Sequence, residues 1–377
     1  MTRVLLAPDK FKGSLTASEV AGAVSRGLLR ARPDLEVVRL PVADGGDGTV
    51  EAAVDGGFTR TPVEAVGPTG EAVMTAYARR TDTAVVELAG TCGIERLAGP
   101  PAPLNASSRG LGVVMAAAIE AGCKKLVVGI GGSASTDGGA GMLQALGVRL
   151  CNAMGDDLPD GGGALIDVAS VDTSALDRRL AEVSITIACD VDNPLLGPRG
   201  AAEVYGPQKG ASPWDVIRLE AGLRHWAGLV TSLTGTDHRD VRGAGAAGGV
   251  GFGALALLGA TLRPGADLVF EIVGLSAALG SADIVVTGEG SFDEQTLSGK
   301  APARVAAMAR EAGLPTYVVC GRSQLTPEQW RSAGVTAVLA LDQREPDQQR
   351  CFTEAASLLE DVGAELARRL RQRPPSP

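Results

Sequence analysis

Five times in this chain an apolar run of strand length ends in a loop crowded with glycine, aspartate, serine and lysine. The loops lie in "APDKFKGSLTA", "PVADGGDGT", "GIGGSASTDGGAGML", "ACDVDNPLLGP" and "VVTGEGSFDEQTLSGKAP". Strand, polar loop and helix in that order form the repeating unit of a parallel sheet covered by helices. The carboxyl ends of such strands face the ligand crevice. The chain therefore reads as an α/β protein whose chemistry sits on loops leaving one edge of a sheet.

The rhythm is not uniform. "RVLLAPD" and "EVVRLPVAD" read as strands around the helix "TASEVAGAVSRGLLRARP", where Thr16 and Glu19 form a capping-box pattern. "GTVEAAVD" opens another helix. "RTPVEAVGPTGEAVMTAYARRTDTAVVELAG" then gives three strand-like runs with no helix between them, a meander. After it come a helix near 107–121, the strand "KKLVVGIG", a helix running into Leu146 and the strand "VSITIACDV". The long amphipathic helix "PWDVIRLEAGLRHWAGLVTSL" follows, then a second glycine loop entering a helix, "GAGAAGGVGFGALALLG". From about Ala282 the alternation returns. "ADIVVTGEG", "PTYVVCG" and "VTAVLAL" read as strands, with "APARVAAMAREAG" and "TPEQWRSAG" as helices between them. "DQQRCFTEAASLLEDVGAELARRLRQR" reads as one closing helix before a frayed "PPSP". The simplest arrangement is a doubly wound domain made from both chain ends, residues 1–65 and 275–377, with a different α/β domain, 66–274, inserted between them.

Composition narrows the function. Glycine supplies 51 of 377 residues, roughly twice the usual ~7%, and without a collagen period the excess belongs in tight turns and ligand loops. Aromatic residues are only 3%, too few for platforms that stack single-stranded nucleic acid. A net charge of −9 disfavours nonspecific binding to nucleic acid or acidic membranes. No membrane span is read in the chain, and no signal-peptide pattern opens it. Six scattered cysteines without a C-x-x-C pair read as small core residues of a reduced compartment, so a cytoplasmic protein is expected. Only His225 and His238 are present. Acid–base work therefore falls to carboxylates, with lysines for charge.

Each loop admits a chemical and a plain reading. Lys10, Lys12, Gly13 and Ser14 precede a helix N-terminus, a good anion site, or Ser14 and Thr16 merely cap that helix. Asp44, Asp47 and Thr49 in a glycine turn suit Mg²⁺, or form an ordinary Asp-Gly turn. Gly129–Gly141, with Gly131, Gly132, Ser133, Ser135 and Asp137, loosely matches a dinucleotide fingerprint but lacks the acidic partner at a following strand end. Its backbone could cradle phosphate as a nest, or its glycines could serve close strand–helix contact. The "GAGAAG" at 243–248 matches the fingerprint too, without a preceding strand. Asp190, Asp192 and Asn193 could supply a base for a hydroxyl proton and a metal or substrate contact, or a turn before Pro194. Glu289, Ser291, Asp293, Thr296 and Lys300 suit phosphate with Mg²⁺ ahead of a helix starting at Pro302, or form an elaborate loop. No G-x-x-x-x-G-K-[ST] loop occurs. Together this inventory fits phosphoryl transfer, which needs backbone and lysine around phosphate, carboxylates on a metal ion and one base near the acceptor.

These six stretches, the five strand-end loops and "GAGAAGGVGFG", stand in an order that resembles the bacterial type I glycerate kinases, from Ala7 to Pro302, nearly the whole chain. The resemblance implies a flavodoxin-like parallel-sheet domain from both chain ends, an inserted mixed α/β domain, and a site in a cleft whose closure excludes water. It implies transfer of the γ-phosphoryl group of ATP to D-glycerate, with Mg²⁺, giving 2-phosphoglycerate. Carried onto the matching positions, Asp190 is the first choice for the base. Lys10 and Lys12 would hold the glycerate carboxylate or the transferring phosphate. Ser14, Gly131, Gly132, Ser133 and Asn193 would bind substrate or phosphate, and Lys300 the nucleotide phosphate. Asp44, Asp47, Asp137, Glu289 and Asp293 are candidates for Mg²⁺ or substrate. A nucleotide-dependent oxidoreductase, resting on the glycine fingerprints, and a non-catalytic sugar-acid or nucleotide sensor are the competing readings. Assembly state is left open by the residues.

Overall fold

A run such as "VLLAP" is apolar on both faces and as a strand must be covered on both sides. "TPVEAV" alternates and needs cover on one side only. The structure, a computed structural model describing residues 1–176, 178–297 and 299–371, separates the two kinds. Its strands are β1 (Arg3–Pro8), β2 (Glu36–Arg39), β3 (Thr59–Val66), β4 (Ala72–Arg80), β5 (Thr83–Glu87), β6 (Lys125–Gly129), β7 (Arg149–Cys151), β8 (Ser170–Asp172), β9 (Ser184–Ala188), β10 (Thr261–Arg263), β11 (Ile284–Phe292), β12 (Thr316–Ser323) and β13 (Val335–Ala340). The chain divides into two compact units: Met1–Asp44, Glu51–Gly57 and the described residues from Val269 on; and Gly45–Val50 with Phe58–Leu268.

The first unit holds an all-parallel five-stranded sheet in the order β13-β12-β11-β1-β2. Its central pair joins the two ends of the chain: β1 lies beside β11 with Val4 opposite Ile284 and Pro8 opposite Gly288. Successive side chains point to opposite faces. Thus Tyr317 and Val319 join Val4, Leu6, Val24, Leu359 and Leu366 in one core. Val318 and Cys320 join Phe292, Ala306 and Leu325 in another. Helix Ala17–Ala31 begins with the expected capping box: the Thr16 side chain accepts from Glu19 N, and Glu19 reaches back to Thr16 N. It packs on helix Ala355–Arg371.

That helix pair is close because both sides present glycine. A Cβ on Gly27 would stand 1.9 Å from the Glu360 carbonyl oxygen, and one on Gly363 would stand 2.4 Å from the Val24 carbonyl oxygen. We expect Gly27→Ala to destabilise the protein by about 2 kcal/mol: the helix-propensity gain of about 1 kcal/mol is outweighed by overpacking against backbone that cannot turn aside. A lower denaturation midpoint checks this; an unchanged or higher one refutes it.

The second unit holds a mixed six-stranded sheet, β10-β9-β6-β5-β4-β3. The meander is antiparallel, β3 with β4 and β4 with β5. From β5 through β6 and β9 to β10 the pairing is parallel. The β7–β8 pair forms a separate antiparallel ribbon. Its core includes Leu111, Met115, Val128, Ile187, Trp226 and Phe252.

Several details differ from the sequence reading, among them the short strands β7, β8 and β10, which it does not contain. β11 runs past "TGEG" to Phe292, because Glu289, Ser291 and Phe292 pair with Cys320, Arg322 and Ser323 of β12. Ser291 is therefore a strand residue like Glu289, not part of the loop. The closing helix is two helices, Gln348–Thr353 and Ala355–Arg371; "PPSP" lies outside the described residues. In the second glycine loop, Ala247, Gly248 and Gly249 all have left-handed backbone, so regular helix begins only after them. Among the described residues no helix is long and apolar enough to cross a membrane.

Candidate active site

In the first unit, the carboxyl ends of three neighbouring strands bring carboxylates together. Asp9 follows β1, Asp44 follows β2, and Glu289 lies near the end of β11. Asp9 is buried; its backbone N–H donates to the Gly288 carbonyl at 2.7 Å, and its Oδ1 accepts the Lys10 N–H at 2.7 Å. Burial pushes its carboxyl up to about 7, aided by the charges of Asp44 and Glu289 and opposed by Lys10. Glu289 is also buried and also raised, first by burial and then by Asp293 and Asp44, against Thr296 and Lys300. The Thr296 hydroxyl donates to Glu289 Oε1, and Lys300 Nζ lies 3.9 Å from Oε2. Asp9, which sequence reasoning passed over as the last residue of a strand, is thus the centre of the cluster.

Two other predicted residues of this unit, Asp293 and Ser14, bond within the fold. Asp293 starts the short helix Glu294–Leu297: its Oδ1 accepts the N–H groups of Gln295 and Thr296 at 3.0 and 3.3 Å, and its Oδ2 accepts the Ser291 hydroxyl at 3.2 Å. Ser14 donates its hydroxyl to the Phe352 carbonyl at 2.6 Å. Lys10 is half-buried and Lys12 exposed, and Gly13 between Lys12 and Ser14 adopts φ +77°.

In the second unit, the loops after β6 and β9 leave adjacent strands, with Gly129 opposite Ala188. The glycines of the first loop divide by purpose. A Cβ on Gly131 would stand 2.7 Å from Gly46 Cα, so Gly131 permits a close backbone approach. Gly132 has φ +76°, and its carbonyl accepts the Ile94 N–H at 2.9 Å. Ser133 Oγ lies 3.1 Å from Ser135 Oγ and accepts the Ser135 N–H at 3.1 Å. Asp137 is 0% exposed. Its Oδ2 accepts the Ser108 N–H and hydroxyl, both at 2.8 Å, and the Gly141 N–H at 3.2 Å; its Oδ1 accepts the Gly139 N–H at 3.2 Å. Burial raises its carboxyl and these donors oppose the rise. With both oxygens taken up inside the fold, Asp137 organises the loop.

After β9, Asp190 is exposed, and its Oδ1 accepts the N–H of Gly265, the first residue of helix Gly265–Val273, at 2.8 Å. Asp192 meets Arg199 at 3.0 Å and Arg242 at 3.5 Å. Asn193 is engaged at both ends of its amide: Oδ1 accepts the Tyr205 hydroxyl at 2.7 Å, and Nδ2 donates to the Arg199 carbonyl at 2.8 Å. Asp47 is exposed in the segment Gly45–Val50. Among the described residues, no three His, Cys, Asp or Glu side chains form a ready-made metal cage. Sequence reasoning also missed Lys209, which is buried against the Ser135 carbonyl; nothing in "GPQKGAS" marks a buried lysine.

Comparison with known proteins agrees with the ordered loops. The model of the glycerate kinase family matches residues 4–371. A glycerate kinase of Bacillus subtilis (strain 168) is 41% identical, with 97% of each chain covered. The glycerate 2-kinase of Escherichia coli (strain K12) is 42% identical, with 85% of each chain covered. A crystal structure from Salmonella typhimurium LT2 superposes with a TM-score of 0.84 at 39% identity, covering 98% of both chains. The family model spans the loops that carry the resemblance, and the chain belongs to the glycerate kinase family.

Proposed function

We propose that this protein transfers the γ-phosphoryl group of ATP to D-glycerate in the presence of Mg²⁺ and releases 2-phosphoglycerate. The observation that carries the reading is the likeness to the E. coli glycerate 2-kinase, whose name states that position. Asp190 is the proposed base: it is exposed, and the Gly265 N–H orients its carboxylate. Lys10 and Lys12 are proposed for the anionic groups, Lys300 for nucleotide phosphate, and Ser133 with the backbone of Gly131 and Gly132 for phosphate or substrate. Asn193 and Ser14 are proposed to support these loops, since their polar groups already bond within the fold.

The carboxylates suit Mg²⁺. It takes hard oxygen ligands and is commonly held by one or two carboxylates together with substrate phosphates. Asp9 and Glu289 are raised first by burial and further by Asp44, and a dication beside these carboxylates would favour their charged forms. Asp44 and Glu289 would hold the ion, with Asp47 the further candidate; Asp293 and Asp137 are assigned to ordering their own loops. Bound Mg²⁺ would neutralise charge developing on the phosphoryl oxygens.

The parallel order β2-β1-β11-β12-β13 supports a flavodoxin-like domain, 2-1-3-4-5 in its own strands. The compact units support a division into a domain from both chain ends and an inserted one, with β3 in the inserted part. Six cysteines free of disulfides support a cytoplasmic setting. The test is an assay with Mg-ATP and D-glycerate, its product resolved by phosphorus NMR. A 2-phosphoglycerate signal that needs both substrates and disappears with a chelator is expected. A 3-phosphoglycerate signal would overturn the acceptor position, and no phosphorylated product would overturn the reaction.

A further inference from the structure

Three unusual features meet at the Ser133–Gly139 loop of the second unit. Lys209 is 4% exposed, and its ammonium donates to the Ser135 carbonyl. Thr136 is 0% exposed, and its hydroxyl oxygen has no partner. Ala247, a residue with a Cβ, is held at φ +52°, and Gly248 beside it accepts the Gly138 N–H at 2.9 Å. A Cβ on Gly248 would stand 2.1 Å from the Ser135 carbonyl oxygen. The Ser135 carbonyl is thus held by Lys209, and the room beside it admits only glycine at position 248.

A buried ammonium is a poor choice for stability. Its desolvation is costly, and apolar residues of similar volume usually serve a core as well or better. Burial lowers Lys209 to about 8, and buried Asp137 opposes the fall. Strained backbone and unsatisfied polar groups concentrate where function over-determines the structure. What Lys209 controls is readable from the bonds. Its acceptor is the carbonyl of Ser135, and the N–H and hydroxyl of the same residue bond Ser133 Oγ. Ser133 is itself 5% exposed, and its hydroxyl lies 3.4 Å from the same Ser135 carbonyl oxygen and 3.5 Å from the Ala247 carbonyl oxygen, so the carbonyl that Lys209 holds is also within reach of the Ser133 hydroxyl.

We infer that Lys209 is a positioning residue: through the Ser135 carbonyl it sets the Ser133 hydroxyl to receive an oxyanion, either a phosphate of the nucleotide or the carboxylate of the hydroxy acid. This rests on the role proposed above for Ser133. The test is a double-mutant cycle of Lys209→Met and Ser133→Ala, read as KM for ATP and for D-glycerate well below the unfolding temperature. Calorimetric Kd values for the two ligands give the same cycle without turnover, so a failure of phosphoryl transfer leaves the test standing.

Each single variant is expected to raise the same one of the two constants about tenfold, leaving the other within twofold. The double variant should be little worse than Lys209→Met alone, because coupled residues are not additive. Which constant moves tells nucleotide phosphate from hydroxy-acid carboxylate. Lys209→Met with both constants unchanged and only a lower melting temperature overturns the inference, leaving Ser133 in place. Multiplicative effects in the double variant overturn it too. Ser133→Ala with both constants unchanged overturns the role of Ser133 and the inference with it. Should Lys209→Met not fold, Lys209→Gln, neutral but still a donor, enters the same cycle.

Discussion

Asp190→Asn is expected to lower kcat by about 10³-fold while KM for D-glycerate stays within about threefold. A positioned general base contributes roughly 10²–10⁴, and an amide cannot take the proton of the acceptor hydroxyl. The change is otherwise conservative. Asn keeps an oxygen that can accept the Gly265 N–H, the bond that Asp190 Oδ1 accepts at 2.8 Å, so the start of helix Gly265–Val273 stays capped. Asp190→Ala removes that acceptor as well and should cost about 1 kcal/mol of stability in addition. Steady-state kinetics with a melting curve for each variant separate the two effects. An Asp190→Asn enzyme within tenfold of the wild type would place the base on another residue.

Asp9→Asn is expected to stabilise the protein at pH 8 and to have little effect near pH 4. The sign follows from proton linkage. Asp9 has its carboxyl raised from 3.8 to about 7 in the fold. Between those values the folded state holds a proton that the unfolded chain has released, so stability falls as pH rises across the window. The loss is complete above about pH 7. A difference of some three units, at about 1.36 kcal/mol each, sets a ceiling of ~4 kcal/mol; about 2–3 kcal/mol is expected once relaxation is allowed. Asparagine carries no charge to bury and keeps an oxygen for the Lys10 N–H, which Asp9 Oδ1 accepts at 2.7 Å. Denaturant unfolding of both proteins at pH 5 and pH 8 decides the matter. A stability difference that does not grow with pH would show that burial and the neighbouring carboxylates do not hold the proton on Asp9.

Much of the architecture was legible because it is written in local periodicity. Strand-length apolar runs, the three-run meander and the capping box of Thr16 and Glu19 all appear where their patterns place them. Short strands such as β7, β8 and β10, three residues each, carry too few residues to show a period. The candidate site was legible as loops rather than as atoms. Polar residues at strand ends stood out, yet nothing local distinguished Lys300, near Glu289, from Ser14, bonded to the Phe352 carbonyl.

By itself the sequence determined most of the longer strands and helices, which loops carry charge, and the order of motifs that marks the family. Those properties depend on neighbours a few residues apart. The tertiary structure alone decided that β1 lies beside β11, some 280 positions away, and therefore that Asp9, Asp44 and Glu289 share one edge. It likewise decided that Lys209 is buried against Ser135, and that Gly131 serves a close approach to Gly46. Burial and electrostatic coupling are sums over groups brought together from distant parts of the chain, so an aspartate ending a strand does not announce its raised carboxyl until the strands on either side are in place.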